Sequence, residues 1–267
     1  MSNKTKSKPN TQILFCKSCV MSNQRPGSTV EFKSKIKEKK NLIMFNKDGI
    51  CSACEYKKIK DTQIDWKKRE RELKELCNKY RSRNSSYDVV VPGSGGKDSV
   101  FTSHILKYKY GMNPLTVTWA PHIYTKIGRE NFHNWINAGF DNILLSPNGK
   151  LHKLLTKKAF LNLCHPFQPF IIGQRICGPK YAALHKIPFV MYGEHAAEYG
   201  DRVHEAFNPK MEEKYFVDDI NIKNLIIAGE PAKKICKDNN FKESELTSYL
   251  PVSSKIIRSI NLEVYHL

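Results

Sequence analysis

The chain holds no uninterrupted apolar run approaching the roughly 20 residues of a membrane-spanning helix. Its nearest approach, Phe160 to Gln174, is broken by Asn162, His165, Pro166 and Pro169. Met1 to Thr11 is polar and basic with no apolar centre, which is not the pattern of a secretory signal, and the cytoplasm is the expected compartment. Neither Gly-x-x-x-x-Gly-Lys-Ser/Thr nor Gly-x-Gly-x-x-Gly occurs, so two common nucleotide loops are excluded. Acidic residues are scarce, 26 against 44 Lys and Arg, for a formal charge of +18. Such a balance admits an acidic partner: nucleic acid, nucleotide or anionic sugar. The lysines, however, crowd into Lys33–Lys40, Lys57–Lys60 and Lys67–Arg83 among asparagines, a compositional bias more than a binding surface. Nucleic acid is therefore not the expected partner.

What is present centres on Tyr87 to Tyr110. The β-branched run Asp88-Val89-Val90-Val91-Pro92 leads into Gly93-Ser94-Gly95-Gly96-Lys97-Asp98-Ser99, and an apolar-periodic helix follows. A strand, a tight glycine loop and a helix N-terminus present amides and the positive end of a helix dipole to an anion. The glycines let backbone approach phosphate oxygens, Ser94 and Ser99 add hydroxyls, and Asp98 is a candidate ligand for a magnesium bridging those phosphates. Ser-Gly-Gly-Lys-Asp-Ser resembles the pyrophosphate-binding (PP) loop of the ATP pyrophosphatase superfamily, whose members split ATP into AMP and pyrophosphate to adenylate a carbonyl or amide oxygen.

Upstream, Cys16-Lys17-Ser18-Cys19 and Cys51-Ser52-Ala53-Cys54 are two Cys-x-x-Cys pairs. Four thiolates on two tight knuckles complete a closed tetrahedral zinc site, which stabilises a small domain without a core of its own. Two redox pairs or disulfides are the alternatives, and a cytoplasmic location disfavours disulfides. Between the pairs, Pro26–Phe32 and Leu42–Ile50 read as strands, with a turn at Asp48-Gly49 and a solvated tip over Ser34–Asn41. From Asp65, an N-cap, the residues Trp66, Leu73, Leu76, Cys77 and Tyr80 repeat at helical spacing, with Cys77 as a buried thiol.

Downstream, strands at Leu115–Trp119, Asn142–Leu145 and Pro188–Tyr192 alternate with helices at Gly128–Gly139, Leu151–Leu163 and around Pro179–His185. The alternation implies βαβ units and a parallel sheet whose ligands bind at the carboxyl ends of strands. The loop at Gly93 lies at one such end. Gly193-Glu194-His195-Ala196-Ala197-Glu198-Tyr199-Gly200-Asp201 lies at another and is a candidate substrate or metal site; Arg175 is a further group that could face a phosphate. The expected organisation is a disordered tail (1–12), a four-cysteine zinc-binding domain (13–63), a linking helix (64–86) and the catalytic domain (87–267).

The ordered combination of Cys16-x-x-Cys19-Val20-Met21, Gly49-Ile50-Cys51-x-x-Cys54, Ile64-Asp65-Trp66 and the glycine loop resembles the N-acetyl sugar amidotransferase family. Met191-Tyr192-Gly193-Glu194, Glu198-Tyr199-Gly200, Tyr249-Leu250-Pro251 and Asn261-Leu262-Glu263-Val264 extend the resemblance to the last residues. It implies an α/β fold of the adenine-nucleotide alpha-hydrolase-like (Rossmann-like) kind, a parallel sheet with an N-terminal zinc-ribbon-like knob built on the four cysteines. It implies ATP, Mg2+ and Zn2+ as cofactors and an N-acetylated sugar or nonulosonic acid as acceptor, converted to an acetamidino sugar for lipopolysaccharide O-antigen or flagellin glycan. Gly93, Ser94, Gly95, Gly96 and Ser99 would hold pyrophosphate, Lys97 would offset its charge and Asp98 would hold magnesium. Glu194 and Glu198 would contact the sugar or a second metal. Ammonia would come from a separate glutamine amidotransferase subunit with an ammonia-channelling cyclase-like partner, since position 2 is Ser2 and no room remains after four strands for a fused glutaminase. Family members continue beyond the point matching Glu263-Val264-Tyr265-His266-Leu267, so the resemblance also implies a C-terminally incomplete domain and admits an inactive ATP-binding subunit. A tRNA-thiolating enzyme is the other alternative; it needs further catalytic cysteines, and Cys164, Cys177 and Cys236 are isolated in sequence.

Overall fold

Alternation within one short strand decides the architecture of the larger unit. In β1 (Val89–Pro92) all four residues are buried, and successive side chains point to opposite faces. Val90 joins one hydrophobic core, while Val89 and Val91 join a second on the other face. A strand buried on both faces belongs inside a parallel sheet covered by helices. The structure, a computed structural model, describes residues 12–27, 30–33, 40–201 and 207–267. The expected tail up to residue 11, residues 28–29 of the first expected strand and residues 34–39 of the lysine-rich tip lie outside the described residues.

In the smaller unit, α1 (Ser52–Thr62) starts at the second cysteine pair. The first α-helix of the sheet unit is α2 (Trp66–Tyr80), whose N-cap Asp65 accepts from the Lys68 amide at 2.9 Å. After β1 come α3 (Lys97–His104), β2 (Pro114–Trp119), α4 (Lys126–Asn137), β3 (Asn142–Leu145), α5 (Gly149–Leu163), α6 (Gln168–Leu184) and β4 (Phe189–Tyr192). A two-residue antiparallel pair, β5 (Ile226–Ile227) with β6 (Glu230–Pro231), precedes α7 (Ala232–Asp238), α8 (Ser254–Ile260) and β7 (Glu263–His266). The main sheet runs β3-β2-β1-β4-β7 with every pairing parallel. The chain leaves β1 toward β2 on one side and returns to β4 on the other, so the strand order reverses between β1 and β4. Doubly wound sheets bind their ligands at that point.

Several expectations need correction. The sheet has five strands: Glu263–His266 pairs along Phe189–Tyr192, a partner invisible to a reading that found four. The α6 helix begins at Gln168, eleven residues before Pro179. Pro169 sits in its first turn, where no amide is missed, and Pro179 is carried inside the helix. Helix α2, expected as a linking helix, packs within the sheet unit. Its Cys77, with Leu73, Leu76 and Tyr80, packs against Val89, Val91, Phe189 and Met191 as part of the sheet unit, and burial pushes the Cys77 thiol up to about 11. Among the described residues between the cysteine pairs only isolated bridges form, Pro26 with Leu42 and Phe45 with Cys51, while Glu31–Lys33 is a 3-10 turn that puts Phe32 in the sheet unit's core. The Asp48-Gly49 turn is present, with Gly49 at φ +78°.

Strand β7 is anchored by one carboxylate. Glu263 accepts from Lys210 at 2.6 Å, Lys79 at 3.0 Å, Tyr265 at 3.2 Å and also Tyr80. Burial opposes its ionisation, but the bonds from Lys210, Tyr80 and Lys79 outweigh it and hold Glu263 at about 2. A carboxylate depressed in the folded state contributes stability that is complete above its unfolded pKa and is lost as pH falls through the folded value. Glu263→Gln should therefore cost ~1–3 kcal/mol in urea unfolding at pH 7. The gap from the unsubstituted protein should shrink from about pH 4.5 downward and vanish near pH 2.

Candidate active site and metal centre

The cleft of the sheet unit opens where its topology reverses. It is lined by Gly93, Ser94, Gly96, Asp98 and Ser99 of the glycine loop and the start of α3, and by Gly193 and Glu194 after β4. Local geometry explains the glycines. A side chain on Gly93 would place its Cβ 2.1 Å from the Ser99 Cβ. Gly95 adopts φ +83°, and a Cβ there would meet the Phe132 backbone at 2.7 Å. The loop thus folds back tightly on the first turn of α3, and Gly96, at the N-cap, has no side chain to accept that turn's amides. Ser99 is buried, and its hydroxyl donates to the Gly96 carbonyl at 3.1 Å. Asp98 is bridged to Lys97 at 2.5 Å, and Lys97 reaches into solvent with 87% of its side chain exposed.

Of the loop residues expected to hold phosphate, Gly93, Ser94, Gly96, Asp98 and Ser99 line the cleft, and Gly95 and Lys97 do not. The two glutamates belong to different units. Glu194 lines the cleft, whereas Glu198 belongs to the cysteine unit and pairs with Lys60 at 2.7 Å. Arg175 does not line the cleft: its guanidinium lies 5.6 Å from the centre of the Tyr215 ring, and Gln174, one residue earlier on α6, is the lining residue. His195 packs edge-on to His266.

Sequence reasoning missed the apolar half of the cleft, formed by Val117 and Trp119 of β2, Phe170 and Cys177 of α6, and Tyr192 of β4. Trp119 and Tyr192 are the last residues of their strands, so the rule that ligands sit at carboxyl ends would have found both. Trp119 stacks edge-on to Tyr249 and His152, and the His152 ring is hydrogen-bonded to the Tyr249 hydroxyl at 2.6 Å. Burial, with His122 beside it, lowers His152 to about 4, so this wall is uncharged at neutral pH. Complete burial pushes the Cys177 thiol up to about 12, which leaves it protonated and a poor nucleophile. The cleft thus combines a glycine loop at a helix start, which suits an anion, with apolar and aromatic lining, which suits a flat, weakly polar group.

The four motif cysteines converge within the smaller unit, made of the described parts of Met1–Ser28, Lys40–Ile64 and Ala196–Phe207. Their sulfurs all lie within 4.8 Å of one another, and the close approaches run between the pairs: Cys19 to Cys51 at 3.6 Å and Cys16 to Cys54 at 4.0 Å. Tetrahedral zinc with Zn–S bonds near 2.3 Å needs sulfurs about 3.8 Å apart, so the set fits such an ion. The amides of Ser18 and Cys51 donate to Cys16, and that of Met21 to Cys19. Burial alone would raise the Cys16 thiol, but the amides of Cys51, Ser18 and Cys19 bring it to about 6. Cys54 is pushed up to about 12 by burial and by the sulfurs of Cys19, Cys51 and Cys16. A cluster that shelters a thiolate on Cys16 and resists ionisation of Cys51 and Cys54 would gain from a cation among the sulfurs. These four residues could hold a metal such as zinc.

No protein-family model and no curated protein matches the chain. Among the described residues, no helix is long and apolar enough to cross a membrane.

Proposed function

We propose that the chain is an ATP-dependent, AMP-forming amidotransferase that converts the N-acetyl group of a sugar to an acetamidino group. The observation that carries this reading is the Ser94–Ser99 loop. It is folded against the start of α3 at the reversal of a parallel sheet, in a cleft that Glu194 and the apolar Val117, Trp119 and Phe170 also line. The family resemblance in the sequence supplies the acceptor class.

An amide carbonyl is a weak electrophile, and activating it needs a good leaving group on its oxygen. In the proposed reaction the carbonyl oxygen attacks the α-phosphorus of ATP, the amide nitrogen gives up its proton, and pyrophosphate departs. Ammonia then adds at carbon, the C–O bond breaks, and AMP leaves with the former carbonyl oxygen. Ser94, Gly95, Gly96 and Ser99 receive the pyrophosphate with backbone amides and hydroxyls. Lys97 offsets its charge, and Asp98 would hold the magnesium that neutralises it. Glu194 orients the acceptor or contacts that metal. Glu198, paired with Lys60, is assigned instead to the cysteine unit, where Zn2+ on Cys16, Cys19, Cys51 and Cys54 would be structural. Ammonia would be delivered by a separate glutaminase with a cyclase-like channelling subunit.

The test is ammonia-dependent AMP release with a panel of N-acetylated nucleotide sugars and nonulosonic acids. Release with a member of the panel supports the reading. No release with any of them, alongside turnover on tRNA, would transfer the chain to the thiolating class, although a protonated Cys177 argues against that chemistry.

A further inference from the structure

The segment carrying Glu194 is held from two sides, and one of the holders comes from the far end of the sequence. On one side, Gly193 lies so close to α3 that a Cβ there would sit 2.6 Å from the Asp98 carbonyl oxygen and 2.8 Å from the Thr102 hydroxyl. On the other, His266 of β7 makes a 2.6 Å hydrogen bond between its Nδ1 and the Glu194 carbonyl. A carbonyl oxygen only accepts, so Nδ1 must carry the proton. The His266 ring is 7% exposed, packs edge-on to His195 with centroids 4.6 Å apart, and lies beside Tyr192. The strand that delivers it is itself fixed: the Leu267 amide donates to the Tyr192 carbonyl at 2.9 Å, and the His266 amide to Pro209 at 2.8 Å.

We propose that His266 is a positioning residue for the cleft: by donating to the Glu194 carbonyl it clamps the loop after β4 against the start of α3 and so sets Glu194 opposite the Ser94–Ser99 loop. A short loop past a strand end has few contacts of its own. Without the clamp the Glu194 backbone loses its 2.6 Å bond to β7, and its distance from Asp98 is less closely fixed. The clamp follows from geometry alone; that it serves nucleotide binding rests on the function proposed above.

Two variants separate the donor from the ring. His266→Phe keeps a flat side chain against His195 and removes the proton donor, while His266→Asn keeps a donor in nearly the same place as Nδ1. Two readouts on each full-length protein separate the clamp from the nucleotide reading: deuterium exchange of peptides covering residues 193–195, and calorimetric affinity for MgATP. In His266→Phe we expect exchange about tenfold faster and affinity about fivefold weaker, the scale of one lost hydrogen bond, with His266→Asn within about threefold of the unsubstituted protein in both. Unchanged exchange in His266→Phe overturns the clamp. Faster exchange with unchanged MgATP affinity overturns its positioning role. If the unsubstituted protein binds no MgATP, the nucleotide reading of the cleft fails and the positioning role with it, while exchange still decides whether the clamp exists.

Discussion

Replacing Cys51 by serine should collapse the smaller unit and leave the five-stranded sheet folded. Cys51 is completely buried, and its sulfur lies 3.6 Å from that of Cys19. The unit's own apolar cluster is small: Cys16, Ile43 and Cys51, with Met21, Phe45, Ile50, Ala53 and Cys54 around them, so two of its three fully buried members are ligand residues. Structural zinc contributes on the order of 10–16 kcal/mol in small cysteine domains, more than a unit of this size gains from burial. Serine cannot supply a thiolate, so most of that contribution is lost. The sheet unit has two cores that do not include the cysteine knuckles. The expected result is about one zinc per unsubstituted chain and less than a tenth of that in Cys51→Ser, with rapid proteolysis within Lys40–Ile64 and a protected sheet unit. Cys77→Ala, which removes a thiol from the α2 stripe, should leave zinc content unchanged. A metal-free protein whose Cys51→Ser variant resists protease as well as its parent would rule out a structural metal. The redox alternative makes a different demand. It needs two separate pairs, Cys16 with Cys19 and Cys51 with Cys54, whereas all four sulfurs lie within 4.8 Å of one another as one cluster.

The second large effect concerns Gly93→Ala. The added methyl would sit 2.1 Å from the Ser99 Cβ and 2.4 Å from its hydroxyl, inside any acceptable contact, and Ser99 is too buried to swing aside. Either the loop or the first turn of α3 must shift by about 1 Å, and misplacement of that size in a catalytic constellation costs on the order of 100-fold in rate. AMP formation should fall by at least that factor, and overpacking should cost ~1–3 kcal/mol of stability. Gly149→Ala, at the start of α5 with open space around it, should change neither. Asp98→Asn should preserve the fold and still reduce AMP formation on the order of 100- to 1,000-fold, the range for losing one electrostatic contact to the reacting phosphates. A Gly93→Ala protein with full activity would mean that the loop does not hold the phosphates.

How much of this was legible in the sequence differs by element. The glycine loop, the strands at 115–119 and 142–145 and the cysteine set were readable because each carries its signal locally: glycine at forced φ, β-branched runs, paired thiols. Strand β7 was not. Its Glu263-Val264-Tyr265-His266 has the alternation of a strand, but its partner is 71 or more residues away, and only three-dimensional pairing with Phe189–Tyr192 reveals it. The α6 helix was read only around Pro179–His185 because Pro166 and Pro169 interrupt the apolar run before it; Pro169 occupies its first turn, and Pro179 is carried inside a helix packed against β1 and β2. The unit boundary between Glu194 and Glu198 was equally hidden. Four residues apart in sequence, they fall in different units because Ala197 packs against Tyr56 and Gly200 accepts from Ser52, both in α1. Trp119 and Phe170 were overlooked as site residues because an apolar cleft wall has the same composition as a core.

The most direct test of the proposed chemistry follows one oxygen atom. An N-acetylated acceptor carrying 18O in its acetyl carbonyl is incubated with the protein, ATP, magnesium and ammonia, and the nucleotide product is analysed by mass spectrometry. Attack of the carbonyl oxygen on the α-phosphorus predicts AMP and pyrophosphate in equal amounts, with the 18O in the AMP phosphate and an amidine left on the sugar. ADP with inorganic phosphate, or AMP without the label, would contradict it.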